Sequence, residues 1–255
     1  MIPNKLSQIA EDAAVRHEQM TDMFQVLFSR AMSGSKFSHA GTVSAVVAEA
    51  VSIAMRYLQD EQDRIARALE KIAVEAQGRV RAQLSSIDAD ELSDAALAHL
   101  ELTQSYLADE IAAQTKRDIA TLRLELQRAT LEVSMIARTR QVTDREALWI
   151  YRMNHPETLD FHFRDRAARR TPSRAFARTV WRSALLSAYN EIVAMTIVEH
   201  GLDRAVVLKF EDGVEKLVDE ISLSGDEELL DYAAAAATYF HPNANTYLDV
   251  EANDV

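Results

Sequence analysis

Arg174, Arg178 and Arg182 recur at intervals of four, which on a helix stacks three guanidinium forks in one stripe suited to phosphates or carboxylates. Arg164, Arg166, Arg169 and Arg170 precede them, so residues 164–182 hold seven arginines against one acid, Asp165, a local charge of +6. Residues 199–255 carry the opposite balance, 14 acids against Arg204, Lys209 and Lys216, or −11. The stripe therefore has three readings: a contact for DNA phosphates or an acidic partner, a set of ion pairs within the chain, or a solvated face. The asymmetry also suggests that the acidic end masks the arginines until a partner binds.

Other arrangements that do chemistry are scarce. His162 with Asp165 and His241 with Asp249 are the two His–carboxylate pairs available for general acid–base work, and each is equally a capping or surface arrangement. The six glycines are dispersed and build neither a phosphate-cradling loop nor a dinucleotide fingerprint. No two histidines have metalloprotease spacing, and no Glu is followed three residues later by His. With no cysteine, disulfides, thiolate zinc and a cysteine nucleophile are excluded. The expectation is a protein with no catalytic residues, no metal and no cofactor. A carboxylate pair hidden among 40 acids is the enzymatic alternative.

The elements that must position these residues follow from periodicity. Six glycines and four prolines in 255 residues are too few for the many turns of a sandwich, barrel or doubly wound sheet. The net charge of −12 argues against a general nucleic-acid coat while leaving local basic patches open. The fold class expected is mainly α: a long helical hairpin or coiled-coil arm over residues 1–142, then a small α+β domain over 143–255. In the arm, a turn is expected at residues 34–41 and a long helix over 42–84 with a stripe of Val47, Val51, Ala54, Leu58 and Ile65. Ser85 and Ser86 break it, and Asp88 with Glu91 predicts a capping box for the next helix. Leu122, Leu126, Ala129, Val133 and Ile136 step by four, three, four and three, the seam of a helix packed on another and a route to self-association. Thr143 with Glu146 predicts a fresh helix after a break at residues 140–142.

Residues 149–181 hold both tryptophans and six of the 17 aromatics, which marks a second core. Thr171 as cap and Pro172 at the first helical position predict a helix ending at Gly201. A strand over 205–210, a turn at Glu211-Asp212-Gly213, helices over 215–221 and 227–237 and a strand over 247–250 complete the reading. The N-terminus lacks the apolar stretch of a signal peptide. The best apolar run, residues 184–198, is short and interrupted by Asn190 and Glu191, so no membrane segment is expected.

The order Arg178-Thr179, Asn190, Gly201, a short strand, Asp212-Gly213-Val214 and finally His241-Pro242-Asn243 before a last strand resembles the C-terminal domain of phage Mu F-like minor head (head morphogenesis) proteins. The likeness covers roughly residues 174–250. Family members often carry cysteines after the loop aspartate and after His-Pro-Asn; here Val214 to Glu220 and Ala244-Asn245-Thr246 stand there, and His241 alone cannot hold zinc. The resemblance implies a non-enzymatic virion component, a minor capsid protein located inside the head near the portal and in the host cytoplasm during assembly. It would act in assembly or in DNA packaging or ejection, with portal or capsid proteins as partners and double-stranded DNA as a further contact of the arginine stretch. The alternative is a cytoplasmic coiled-coil adaptor or scaffold that oligomerises through the arm.

Overall fold

A computed structural model describes residues 2–34, 40–84, 91–155, 159–226, 228–241 and 243–250. Helices α1 (Ile2–Ser33), α2 (Ala40–Gln83), α3 (Asp94–Arg140) and α4 (Asp144–Asn154) come first, and a ribbon of β1 (His162–Arg164) and β2 (Arg170–Pro172) leads into α5 (Ser173–Glu199). Strands β3 (Arg204–Glu211), β4 (Val214–Ser222) and β5 (Leu230–Asp231), helix α6 (Tyr232–Tyr239) and strand β6 (Thr246–Asp249) follow. The protein is mainly helical with a small sheet region toward its C-terminus, the class that the residue pattern predicts.

The 44 residues of α2 and the 47 of α3 correspond to rods of about 66 and 70 Å at 1.5 Å per residue. The α3 seam is buried as its spacing requires: Leu122, Leu126, Ala129 and Val133 are enclosed, and Ile136 is half-buried. Of the expected α2 stripe, Val47, Ala54 and Ile65 are buried, while Val51 is exposed and Leu58 half-buried; Ala50, Tyr57 and Glu61 complete the buried face. Ser93 starts α3, its carbonyl accepting from Leu97 N at 2.9 Å and its hydroxyl from Ala96 N at 3.3 Å. The expected cap Asp88, with Ser85 and Ser86, lies outside the described residues, as do the centre of the 34–41 turn and Pro156. At its end α3 stops on Gln141 in the left-handed region, φ 54°, with Val142 N bonded back to Ala137 O at 3.2 Å. Thr143 and Glu146 then form the predicted reciprocal cap of α4.

The chain forms two compact units whose limits differ from the expected 142/143 boundary. The first comprises Met1–Ala13, Glu61–Asp109 and Arg178–Val255, the second Ala14–Asp60 and Glu110–Ala177. The physical reason is helix length: α1, α2, α3 and α5 each run from one unit into the other. In the first unit, Leu6, Ile65, Leu69, Ile72, Leu107, Trp181 and Tyr189 are enclosed together with Val207, Tyr247 and Leu248 of the sheet. In the second, Met20, Phe24, Phe28, Ile111, Leu122, Leu126 and Tyr151 are buried.

The four-stranded sheet has the order β5-β4-β3-β6, antiparallel except for the β4–β5 pair. Residues 215–221, expected as a helix, form most of β4. Asp212 at φ 52° and Gly213 at φ 83° turn the chain in a two-residue hairpin of the kind whose twist matches paired strands, and pairing with β3 overrides the local helix preference of this charged segment. The helix expected over 227–237 begins later, at Tyr232, with Asp231 Oδ1 accepting from Ala234 N at 2.7 Å. Thr171 and Pro172 belong to β2, and α5 begins one residue beyond Pro172. The β1–β2 ribbon has no counterpart in the sequence reading.

One helix among the described residues is long and apolar enough to cross a membrane, the Gly41–Gln83 stretch of α2, with a mean hydropathy of 1.2 over its most apolar window. Core helices of soluble proteins meet the same criterion.

Candidate functional site

In the second unit a buried polar cluster fixes the start of α5. The Ser173 hydroxyl donates to Asp118 Oδ1 at 2.6 Å, and Gln114 Nε2 donates to the same oxygen at 3.0 Å and to Ser173 Oγ at 2.7 Å. The other Asp118 oxygen, Oδ2, lies 2.9 Å from His17 Nε2, whose Nδ1 lies 3.0 Å from the Tyr57 hydroxyl. Asp118, His17 and Gln114 are fully enclosed and Ser173 nearly so. Although serine, histidine and aspartate meet here, the carboxylate stands between the other two. A nucleophilic triad needs the imidazole in the middle, within reach of the hydroxyl. The cluster is a structural pin.

That pin holds the β1–β2 ribbon, since Ser173 N donates to Phe161 O at 3.1 Å. Phe163 and Phe176 stack at 4.5 Å, and the Arg117 guanidinium lies 5.0 and 5.8 Å from their ring centres, a cation–π arrangement that ties ribbon and α5 to α3. In the ribbon register Arg164 stands directly opposite Arg170. Arg164 Nε donates to His162 Nε2 at 3.1 Å, and Arg170 pairs with Asp160. Asp165 is engaged by Arg169, at 2.9 Å through the backbone N–H and 2.6 Å through Nε, and these bonds hold its carboxyl below the ordinary value. The expected His162–Asp165 pair is therefore replaced: His162 turns Nδ1 to Asp160 O at 2.9 Å. Arg166 is exposed in the turn between the strands.

The α5 stripe divides. Arg174 donates to Glu18 at 2.7 Å, and Arg178 lies 3.7 Å from Glu11. Arg182 is buried, and its Nη2 donates to Ala244 O at 2.8 Å and to Asn245 Oδ1 at 3.1 Å. Burial lowers its pKa, with Arg178 adding to the effect. The ion-paired carboxylates come from α1 rather than from the acidic C-terminal segment among the described residues.

Of the residues that carry the family resemblance, Asn190, Gly201, Asp212 and His241 serve as turns and staples. Arg178 and Thr179 are exposed on α5. Asn190 is buried, and its Oδ1 accepts from Leu248 N at 2.9 Å, fastening β6 to α5, while its Nδ2 has no partner among the described residues. Gly201, φ 76°, closes α5 with Leu202 N bonded to Ile197 O at 3.2 Å and Gly201 N to Val198 O at 2.9 Å, the paired bonds of a glycine-terminated helix. Asp212 sits in the hairpin turn described above. His241 and Asn243 are exposed, His241 O accepts from Ala244 N at 2.8 Å, and Pro242 lies outside the described residues. The expected His241–Asp249 pair does not form, because Asp249 is taken by a residue far away in sequence.

That residue is Arg79. Its Nε donates to Asp249 Oδ2 at 2.7 Å and its Nη2 to Glu215 Oε2 at 2.9 Å, with the Tyr247 ring centre 5.4 Å from the guanidinium carbon. Burial pushes the enclosed Asp249 carboxyl above the ordinary value against the pull of Arg79. For Glu215 burial acts upward too, but hydrogen bonds from Arg79 and Tyr247 outweigh it and leave its carboxyl low. Neither Arg79 nor the His17–Asp118 pair carries a local sequence signal, since their partners lie 170 and 101 residues away.

Among the described residues no group of three or more His, Asp or Glu side chains is placed to hold a metal ion. Comparison with models of known protein families, with characterised proteins and with solved structures finds no match to this chain.

Proposed function

We propose that this chain is a non-enzymatic structural component of a tailed-phage head, a minor head protein of the Mu F-like type that acts by docking and positioning in assembly or DNA passage. The observation that supports this reading is what the resemblance residues do. Asn190 fastens β6 to α5, and Gly201 and Asp212-Gly213 make the turns that link α5, β3 and β4, so these residues support the order of elements that carries the likeness, without cysteines. Portal or capsid proteins are the partners on this reading, and the molecule belongs inside the head. The test is mass spectrometry of purified heads and assembling proheads from cells that carry the gene. A few copies per particle are expected, and absence from both overturns the proposal.

Double-stranded DNA is the further partner. Arg169, Arg170, Arg174 and Arg178 keep 43% to 81% of their side-chain surface exposed despite their ion pairs, and each phosphate contact contributes about −0.9 to the slope of log K against log salt. Replacing Arg166, Arg174 and Arg178 by alanine in the full chain should flatten that slope by about two to three units. An unchanged slope removes DNA from the list and leaves protein partners.

The adaptor alternative draws on one observation of its own: Leu124, Leu131 and Met135 of α3 are 62%, 68% and 66% exposed, at intervals that share a helical face. Light scattering on the full chain separates the two readings, a stable oligomer favouring the adaptor and a monomer the head protein.

A further inference from the structure

The second unit contains a cleft of about 390 Å³, within the size range of small-molecule sites. Helix α3 supplies Arg128 to it, and the ribbon supplies Arg164, Arg170 and His162. His155, at the end of α4, stacks on Tyr151 at 4.3 Å and lies 2.7 Å from Glu132 through Nε2, which fixes its ring along the wall. Phe28, Leu124 and Leu159 make the apolar side.

The charge arrangement is unusual for a purely structural ribbon. Like charges directly opposite on paired strands are destabilising, yet Arg164 and Arg170 face each other across β1 and β2. They are only partly compensated: Arg164 by a hydrogen bond to His162 Nε2 and Arg170 by Asp160, a carboxylate that is itself 67% exposed. Arg128, the third guanidinium, has no ion pair among the described residues. Glu125 and Asp160 are the acids in the lining, which leaves an excess of cations beside an apolar wall. Convergent guanidinium forks match the oxygens of a phosphate, and a cleft of this size admits one such group with an attached ring but not a duplex.

We propose that this cleft binds a phosphomonoester with an aromatic or apolar body, the phosphate held by Arg128, Arg164 and Arg170 and the body against Phe28, Leu124 and Leu159. The same chemistry is offered by a free nucleotide and by the terminal phosphate of a nucleic-acid strand. The proposal does not depend on the protein being a head component.

The experiment titrates the full chain with AMP, adenosine and inorganic phosphate by calorimetry, then repeats the AMP titration in the presence of a 5′-phosphorylated oligonucleotide. AMP should bind at least tenfold more tightly than adenosine. Arg128→Gln, an exposed position on α3, should weaken AMP at least fivefold without moving the thermal midpoint, and Arg164→Gln is the second variant should the first unfold. Competition by the oligonucleotide assigns the phosphate to a nucleic-acid end, and the absence of competition assigns it to a free phosphomonoester; both uphold the site. Failure of AMP to bind, equal affinity for adenosine, or no loss in either variant overturns it.

Discussion

Among the described residues each unit encloses one aspartate, and the two are stabilised in different ways. Asp118 in the second unit meets a serine hydroxyl, an amide and an imidazole, so its oxygens are filled by short side chains that are themselves buried. Asp249 in the first unit accepts from Val250 N at 3.0 Å and from Gln83, but its counter-charge among the described residues is one guanidinium, Arg79, which it shares with Glu215 and Tyr247. A network spread over several donors loses one bond at a time. A network centred on one cation leaves a buried charge when that cation is removed.

The largest effect expected is therefore that of Arg79→Ala, about 3–5 kcal/mol of stability, because Asp249 is left enclosed and unpaired. Its pH dependence has a definite sign. Burial already raises the folded-state pKa of Asp249, and removing Arg79 raises it further; such a group costs nothing below its unfolded value, near 3.9, and its cost grows as pH rises through the folded value. The deficit of the variant relative to the natural chain, measured by urea unfolding, should thus shrink from pH 7 toward pH 4. A deficit independent of pH would break the contrast.

Ser173→Ala removes one donor to Asp118 and leaves Gln114 and His17 in place. Its cost should be smaller, about 1–3 kcal/mol, the loss of one buried hydrogen bond to a carboxylate. Should it exceed that of Arg79→Ala, the second unit would be the one that depends on a single ionic centre.

Two smaller changes probe the second unit locally. Gln141→Gly relieves the left-handed backbone that closes α3 and should stabilise by about 0.5–1 kcal/mol, since glycine adopts positive φ without steric penalty. Hydrogen exchange tells whether the gain is confined to the second unit or shared by the first, the latter meaning that both networks belong to one cooperative fold. Smallest is the pH response of the α4 cap. The Thr143 backbone N–H and hydroxyl hold the Glu146 carboxyl below its ordinary value near 4.5, so the cap's contribution is present above that value and lost as pH falls through the lowered one. Exchange of the first α4 amides should accelerate over that interval, and a flat profile would show that the capping box does not hold α4.

The readable parts of the fold were those carried by short-range patterns. The α3 seam, the Thr143–Glu146 cap, the Gly201 terminus and the Asp212-Gly213 turn are each encoded within a few residues. Residues 215–221 misled because their composition suits a helix and only their partner strand makes them extended. The arginine stripe was legible as a spacing, but its fate was not: Arg174 and Arg178 meet α1 carboxylates more than 150 residues away in sequence, while Arg182 turns inward to the β6 approach.

By itself the amino-acid order determined the mainly helical class, the long uninterrupted rods and the positions of several caps and turns, because these depend on 3.6-residue periodicity and on backbone freedom at single sites. Tertiary structure alone decided which carboxylate each arginine meets, that Asp118 and Asp249 are enclosed, and that Arg128, Arg164 and Arg170 converge on one cleft. Those outcomes depend on contacts between segments distant along the chain, and hydrophobic burial, which drives such contacts, is non-directional and leaves no local mark of which segments will meet.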